Sequence, residues 1–209
     1  MPSSPAPHIE ETRARIIAAA SEAFRQRGIR GVTMDDVSHL MGMSKRTLYQ
    51  VFRDKEELLL ACLKAHEEEE LRQLELAAGK AKNVLDIVLT VFRMKMEETG
   101  GTKFGLFTEI LKYPRAETYL RQERKRKERM AVDFLMRGID EGFFLPTVDF
   151  GIVYANLMEG MEALMRNPDM HDRSDRDIFV NTAVLTIRGC ATPRGIELID
   201  ELMRQFPRE

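Results

Sequence analysis

The sequence predicts an all-α protein, with a three-helix unit at the N-terminus and a larger helical domain behind it. Three observations carry this. Apolar residues recur three and four apart along most of the chain, and the alternation of half-buried strands is missing. No Asn-Gly or Asp-Gly hairpin turn occurs. Hydroxyl or acidic caps stand three residues before an acid at Thr33/Asp36, Asp54/Glu57 and Ser174/Asp177.

The chain has 209 residues, 44% of them apolar, enough to bury a core and too many for wholesale disorder. Its apolar runs fall far short of the roughly 20 residues that span a bilayer. A formal charge of −2 excludes a bulk-basic nucleic-acid coat and leaves a local basic site open. Cys62 and Cys190 form no CxxC pair and read as small buried residues, not as a disulfide or metal site. The opening MPSSPAPHIEE lacks the basic and apolar regions of a signal peptide, so a cytoplasmic protein is expected, with residues 1–8 as a disordered lead.

The first helix is expected over 9–27. Ile16, Ala20, Ala23 and Phe24 share one face, and Gly28 follows as a C-terminal stop. Thr33 opens the second helix, with Val37, Leu40 and Met41 as its buried face and Gly42 at its end. One residue later Ser44 caps a third helix, whose Leu48, Val51 and Phe52 face the core. Asp54 caps a fourth helix running towards Ala78, with Glu57 completing its box.

Short helices two and three joined by a glycine turn make a helix-turn-helix. The outward face of the third carries Lys45, Arg46, Tyr49, Gln50 and Arg53. Within 44–55 four basic residues oppose only Asp54, a local +3 in an acidic chain. Ser44 and Thr47 add hydroxyls. Such a face suits a DNA duplex.

From about residue 80 further helices are expected at 83–98, 104–112, 115–142, 149–166, 174–190 and 193–206. Gly100-Gly101, Pro114, Gly142, Pro146, Asn167-Pro168 and Thr192-Pro193 punctuate them. The domain reading is therefore a lead at 1–8, a helix-turn-helix domain at 9–56 and a helical domain at 57–209, with helix 54–78 joining the two.

The stretches IIAAASEAFRQRGIRGVTMDDVSHLMGMS and SKRTLYQVFRDKEELL resemble the DNA-binding domain of the TetR/AcrR family of transcriptional repressors. Thr47-Leu48-Tyr49, Phe52 and Asp54-Lys55-Glu56 carry the match in combination. The chain departs from the family pattern at Val37-Ser38, where Ile-Ala is usual, and at Met41, where Ala is usual. No DNA-facing group is lost by either change.

The resemblance implies residue roles. Ser44 caps the recognition helix, and Lys45, Arg46, Thr47 and Gln50 face base edges or nearby phosphates. Arg46 is the candidate reader of guanine, because its fork fits O6 and N7. Tyr49 and Lys55 hold phosphates. Thr33 holds another through its hydroxyl and the helix dipole. The second domain is expected to bind an effector and to form a homodimer. Phe150, Val153, Leu157, Met161, Ile178 and Leu185 are the expected interface, on a pair of helices that pairs with its symmetry mate. The expected pocket is lined by Phe92, Met96, Phe104, Phe107, Thr108, Leu111, Phe134, Tyr154 and Met158. Met and aromatic side chains repack easily and suit an apolar or amphipathic molecule. Such residues also fill ordinary cores, so the expectation leans on the resemblance.

Other readings weigh less. The basic run 121–129 is a helix face laced with ion pairs such as Glu123–Lys127. The four histidines show no metal-ligand spacing, and no nucleophile motif, P-loop, GxGxxG or HExxH occurs, so neither catalysis, a metal nor a cofactor is expected. The alternative is a helical small-molecule-binding or protein-interaction module without regulatory DNA binding. The leading expectation is a DNA-binding regulator, a repressor released from a palindromic operator by its effector.

Overall fold

The structure is a computed structural model that describes residues 5–97, 109–170 and 173–205. The described residues are helical, apart from turns and one isolated bridge between Phe144 and Ala191. They fall into two compact units, one of Met1–Leu71 with Thr102–Arg121 and one of Arg72–Gly101 with Gln122–Glu209.

In the first unit α1 spans Pro5–Arg27. It starts four residues before the expected position, inside the stretch read as a disordered lead. The first helical turn has no intrahelical use for its N–H groups, so Pro5 and Pro7 do not break it. Gly28 (φ +74°) closes α1, its N–H bonded to the Phe24 carbonyl. Helices α2 (Met34–Leu40) and α3 (Lys45–Val51) follow, turned by Gly42 at φ +61°. Helix α4 spans Lys55–Ala78.

Ile16, Ala20, Phe24, Val37, Leu48, Phe52 and Leu58 close the core of this unit. Leu40, expected inside, is exposed, and Ser38 is buried in its place. In so short a helix the inner stripe is 34, 37, 38 and 41, and Leu40 lies off it. The Ser38 hydroxyl donates to the Asp35 carbonyl at 2.8 Å, which makes its burial tolerable.

A late segment completes the core. Ile110 and Ala116 are buried in it, with Tyr113 and Leu120 packed against it. The expected domain boundary near residue 57 had left this segment with the second domain.

The second unit contains α5 (Val84–Glu97), the later turns of α6 (Pro114–Asp140) and α7 (Phe150–Arg166). A last helical stretch runs through α8 (Asp175–Phe179), a π-helical turn (Val180–Val184) and α9 (Leu185–Gly189), before α10 (Pro193–Gln205). The helix expected over 174–190 thus carries a wider turn. The Thr182 hydroxyl back-bonds to the Ile178 carbonyl at 2.6 Å there, a contact that competes with the regular ladder. Phe143, Phe144, Phe150, Val184, Ile199 and Leu202 form the core of this unit. The Glu141 carboxylate accepts the Val84 N–H at 2.8 Å and so caps α5 from far along the chain. In the basic run Glu123 pairs with Arg126 at 2.5 Å, and Arg124 bonds Glu159 and Glu162. The expected helix 104–112 lies mostly outside the described residues.

Candidate nucleic-acid interface

Helix α3 is short, and its direction is set at both ends. At its start Ser44 Oγ accepts the Thr47 N–H at 3.1 Å, and the two hydroxyls lie 2.9 Å apart. At its end Arg13 of α1 lays its guanidinium over the Phe52 ring, 4.3 Å from the centroid, with Nη1 3.5 Å from the Val51 carbonyl. A cation there suits both the ring face and the negative end of the helix. Arg13 was missed in the sequence because 38 residues separate it from Val51.

With Leu48 pointing inward, Ser44, Lys45, Arg46, Thr47, Tyr49 and Gln50 are all exposed on one short helix. Tyr49 is 48% exposed, so its phenol can reach a partner outside the protein. Among the described residues no acid pairs with Arg46, whereas Lys45 Nζ lies 2.5 Å from Asp35 of α2.

Thr33 is committed to the cap of α2. Its hydroxyl donates to Asp36 Oδ2 at 2.6 Å and accepts the Asp36 N–H, and its own N–H donates to the same carboxylate at 2.7 Å. The donors expected to hold a phosphate therefore already hold an acid. These bonds also depress the Asp36 pKa, the Thr33 hydroxyl bond first.

Lys55 opens α4 half-buried. Burial lowers its pKa, partly offset by the carboxylates of Glu109 and Asp36. Asp54 caps the helix, accepting the Glu57 N–H at 2.7 Å. The Glu57 carboxylate reaches the Arg53 N–H at 3.0 Å, one residue earlier than an ordinary box would take it.

The late segment grips this end of α4. Arg115 donates its backbone N–H to Glu56 at 2.6 Å, Nε to Glu56 at 3.0 Å and Nη2 to Asp54 at 2.5 Å. Glu109 accepts the Arg30 N–H at 2.8 Å in the turn before α2. Burial raises the pKa of Asp54 and Glu56, but the bonds from Arg115 and from backbone N–H groups outweigh it and hold both below the usual carboxylate range. Neither Glu109 nor Arg115 stood out in the sequence, because their partners lie 59 to 79 residues away.

Of the residues expected to line a pocket, Phe104, Phe107 and Thr108 lie outside the described residues, as does the Met96 side chain. Leu111 groups with the first unit, whereas Phe92, Phe134, Tyr154 and Met158 belong to the second. Phe92 is core, edge-on to Phe179 at 5.4 Å. Tyr154 is half-buried, and burial raises its pKa.

The expected interface splits as well. Phe150 and Ile178 are buried within the chain, Phe150 stacked edge-on against Phe144 at 5.4 Å. Val153 packs on the same core, and Leu157 and Met161 are half-buried. Leu185 is 50% exposed, and Ile152, which sequence reasoning passed over, is 69% exposed. The outward side of α7 carries Ile152, Ala155, Asn156, Glu159, Gly160 and Ala163.

Residues 16–62 match the family model described as bacterial regulatory proteins, tetR family. The transcriptional repressor KstR2 of Mycobacterium tuberculosis is 25% identical over 152 residues, 70% of this chain and 76% of that protein. The transcriptional activator FasR of Mycolicibacterium smegmatis is 44% identical over 57 residues, 27% of this chain and 26% of that protein. Among solved structures, a transcriptional regulator from Saccharomonospora viridis in complex with choline has a TM-score of 0.73 at 15% identity, covering 88% of this chain and 99% of that one. The structure of the ketosteroid transcriptional regulator KstR2 has a TM-score of 0.60 at 21% identity, with coverage of 86% and 95%. At those identities the structural likeness concerns the fold.

Proposed function

Because residues 16–62 make the chain a member of the TetR family of bacterial regulatory proteins, we propose that it represses genes by occupying a palindromic operator as a dimer, until a small effector releases it. That the protein is a DNA-binding transcriptional regulator follows from the family and from relatives of both signs, repressors and an activator. Repression is the reading favoured by the relatives that align over most of the chain.

The observation that carries the DNA role is the exposed set on α3. Lys45, Arg46, Thr47, Tyr49 and Gln50 are exposed on a short helix whose Leu48 is fully buried, and Ser44 is exposed at its cap. Lys45, Arg46, Thr47 and Gln50 face base edges in this reading, Tyr49 and Lys55 hold phosphates, and Ser44 orients the helix. Thr33 acts through the cap. The protein works in the cytoplasm beside its DNA and carries no catalytic role.

In the dimer, the outward side of α7 around Ile152 and the exposed Leu185 meet their symmetry copies. This keeps Leu185 from the expected set and replaces the buried Phe150 and Ile178. The effector is apolar or amphipathic and binds in the second unit near Phe134, Tyr154 and Met158. Relatives described as a ketosteroid regulator and as a choline complex support a small organic ligand without fixing its class. Two helices, α4 and α6, continue from the first unit into the second, and both carry the signal.

The test is an electrophoretic shift with DNA flanking the protein's own gene against a scrambled duplex. Retardation of the flanking DNA alone, weakened by Arg46→Ala, is expected. Equal retardation of both duplexes, or none, contradicts the reading.

A further inference from the structure

The cations around α3 are not equally available. Arg53 Nε lies 3.6 Å from Asp54 and 3.5 Å from Glu57. Lys55 lies near Glu109 and Asp36. Lys45 is paired with Asp35 at 2.5 Å, and both side chains are about half exposed, 58% and 49%. Asp35 is the second residue of α2, so this pair ties the recognition helix to the helix in front of it. Asp35 has no other side-chain hydrogen bond or ion pair among the described residues, and α2 is capped by Thr33 and Asp36 without it.

A free lysine on this face would harm selectivity. Its ammonium rides on a flexible four-carbon stem and binds as a point charge. It can reach a phosphate on any sequence, which strengthens sequence-independent binding and its salt dependence. Paired with Asp35, the ammonium has one of its three donors occupied and its reach reduced. The remaining donors then serve only a duplex whose base acceptors or phosphates meet them in register. Discrimination by penalising wrong partners is a general route to specificity.

We propose that Asp35 is a specificity-determining residue that acts by positioning Lys45, holding it back from sequence-independent phosphate contact. The inference rests on the DNA reading of α3 given above.

The experiment compares the full-length protein with Asp35→Asn, Lys45→Ala and the double variant. Fluorescence anisotropy measures binding to a selected operator and to a scrambled duplex of equal length, across a salt series. In Asp35→Asn the scrambled duplex is expected to bind about fivefold tighter, with a salt slope steeper by about one. Operator affinity changes by less than about twofold, so the ratio of the two falls. In the Lys45→Ala background the Asp35 substitution leaves that ratio unchanged. Unaltered thermal melting of each variant separates this from a folding defect. An unchanged ratio in Asp35→Asn, or a change that persists without Lys45, overturns the role of Asp35. A parent protein that does not distinguish the duplexes overturns the DNA reading, and the parent measurement alone shows that failure.

Discussion

At the residue scale, three side chains close to DNA in this reading stand in different states. Arg46 is exposed and unpaired among the described residues, Lys45 is tethered, and Lys55 is half-buried beside carboxylates. Arg46→Ala is therefore expected to cost on the order of 1–3 kcal/mol at one base position and to relax selectivity there, read by titrating operators changed one pair at a time. Lys55→Ala is expected to weaken all sequences alike and to reduce the salt slope by about one. An unchanged slope removes Lys55 from the DNA. Thr33→Ala removes a cap and is expected to cost about 1 kcal/mol of folding stability in urea melts. Local chemistry was legible at this scale. Thr33, Gly42 and Ser44 do what their residue types imply, because a cap or a left-handed turn needs only neighbours. The Asp35–Lys45 pair was not legible, since ten positions and a turn separate the partners.

At the element scale, most helices follow the apolar spacing within a few residues. The departures have local causes. Prolines fit the first turn of α1, α2 is too short for its period to decide between Ser38 and Leu40, and the Thr182 hydroxyl accompanies the π-helical turn. The larger gap is the start of α6. No pattern in the sequence announces that Arg115 will bind the first turn of α4, or that Ile110 and Ala116 will enter the core of the first unit. Arg115→Ala should lower stability in urea melts, because charge-assisted bonds to Asp54 and Glu56 are lost at a partly exposed site. The folded-state pKa values of Asp54 and Glu56 are lowered, so the stability they contribute is full above the unfolded values, near pH 4. It is lost as pH falls through the lower folded values. Acid melts of Arg115→Ala should therefore show a shallower loss below about pH 4 than the parent. An equal loss assigns acid sensitivity to other groups.

At the scale of the whole molecule, the DNA unit was readable and the second unit much less so. A helix-turn-helix is built from contiguous caps, turns and a basic face. A dimer surface is set by which side of a helix its own core leaves uncovered. Phe150 illustrates the difference: the family resemblance put it on a partner surface, and the chain's own core claims it. Phe150→Ala should cost about 3–5 kcal/mol in unfolding through the cavity it leaves. Leu185→Glu should leave folding nearly intact, give monomers by light scattering and abolish operator binding. A Leu185→Glu protein that remains a dimer moves the interface elsewhere.

The central claim is that α3 reads a two-fold site. Selection from a random duplex library on the immobilised full-length protein tests it most directly. A two-fold dimer predicts enrichment of a near-palindrome whose half-site centres lie about one helical turn, ~34–36 Å, or a multiple of it apart. Arg46→Ala should shift the enriched base at one symmetric pair of positions. Enrichment of no sequence, or of a single asymmetric site untouched by Arg46→Ala, would contradict the account.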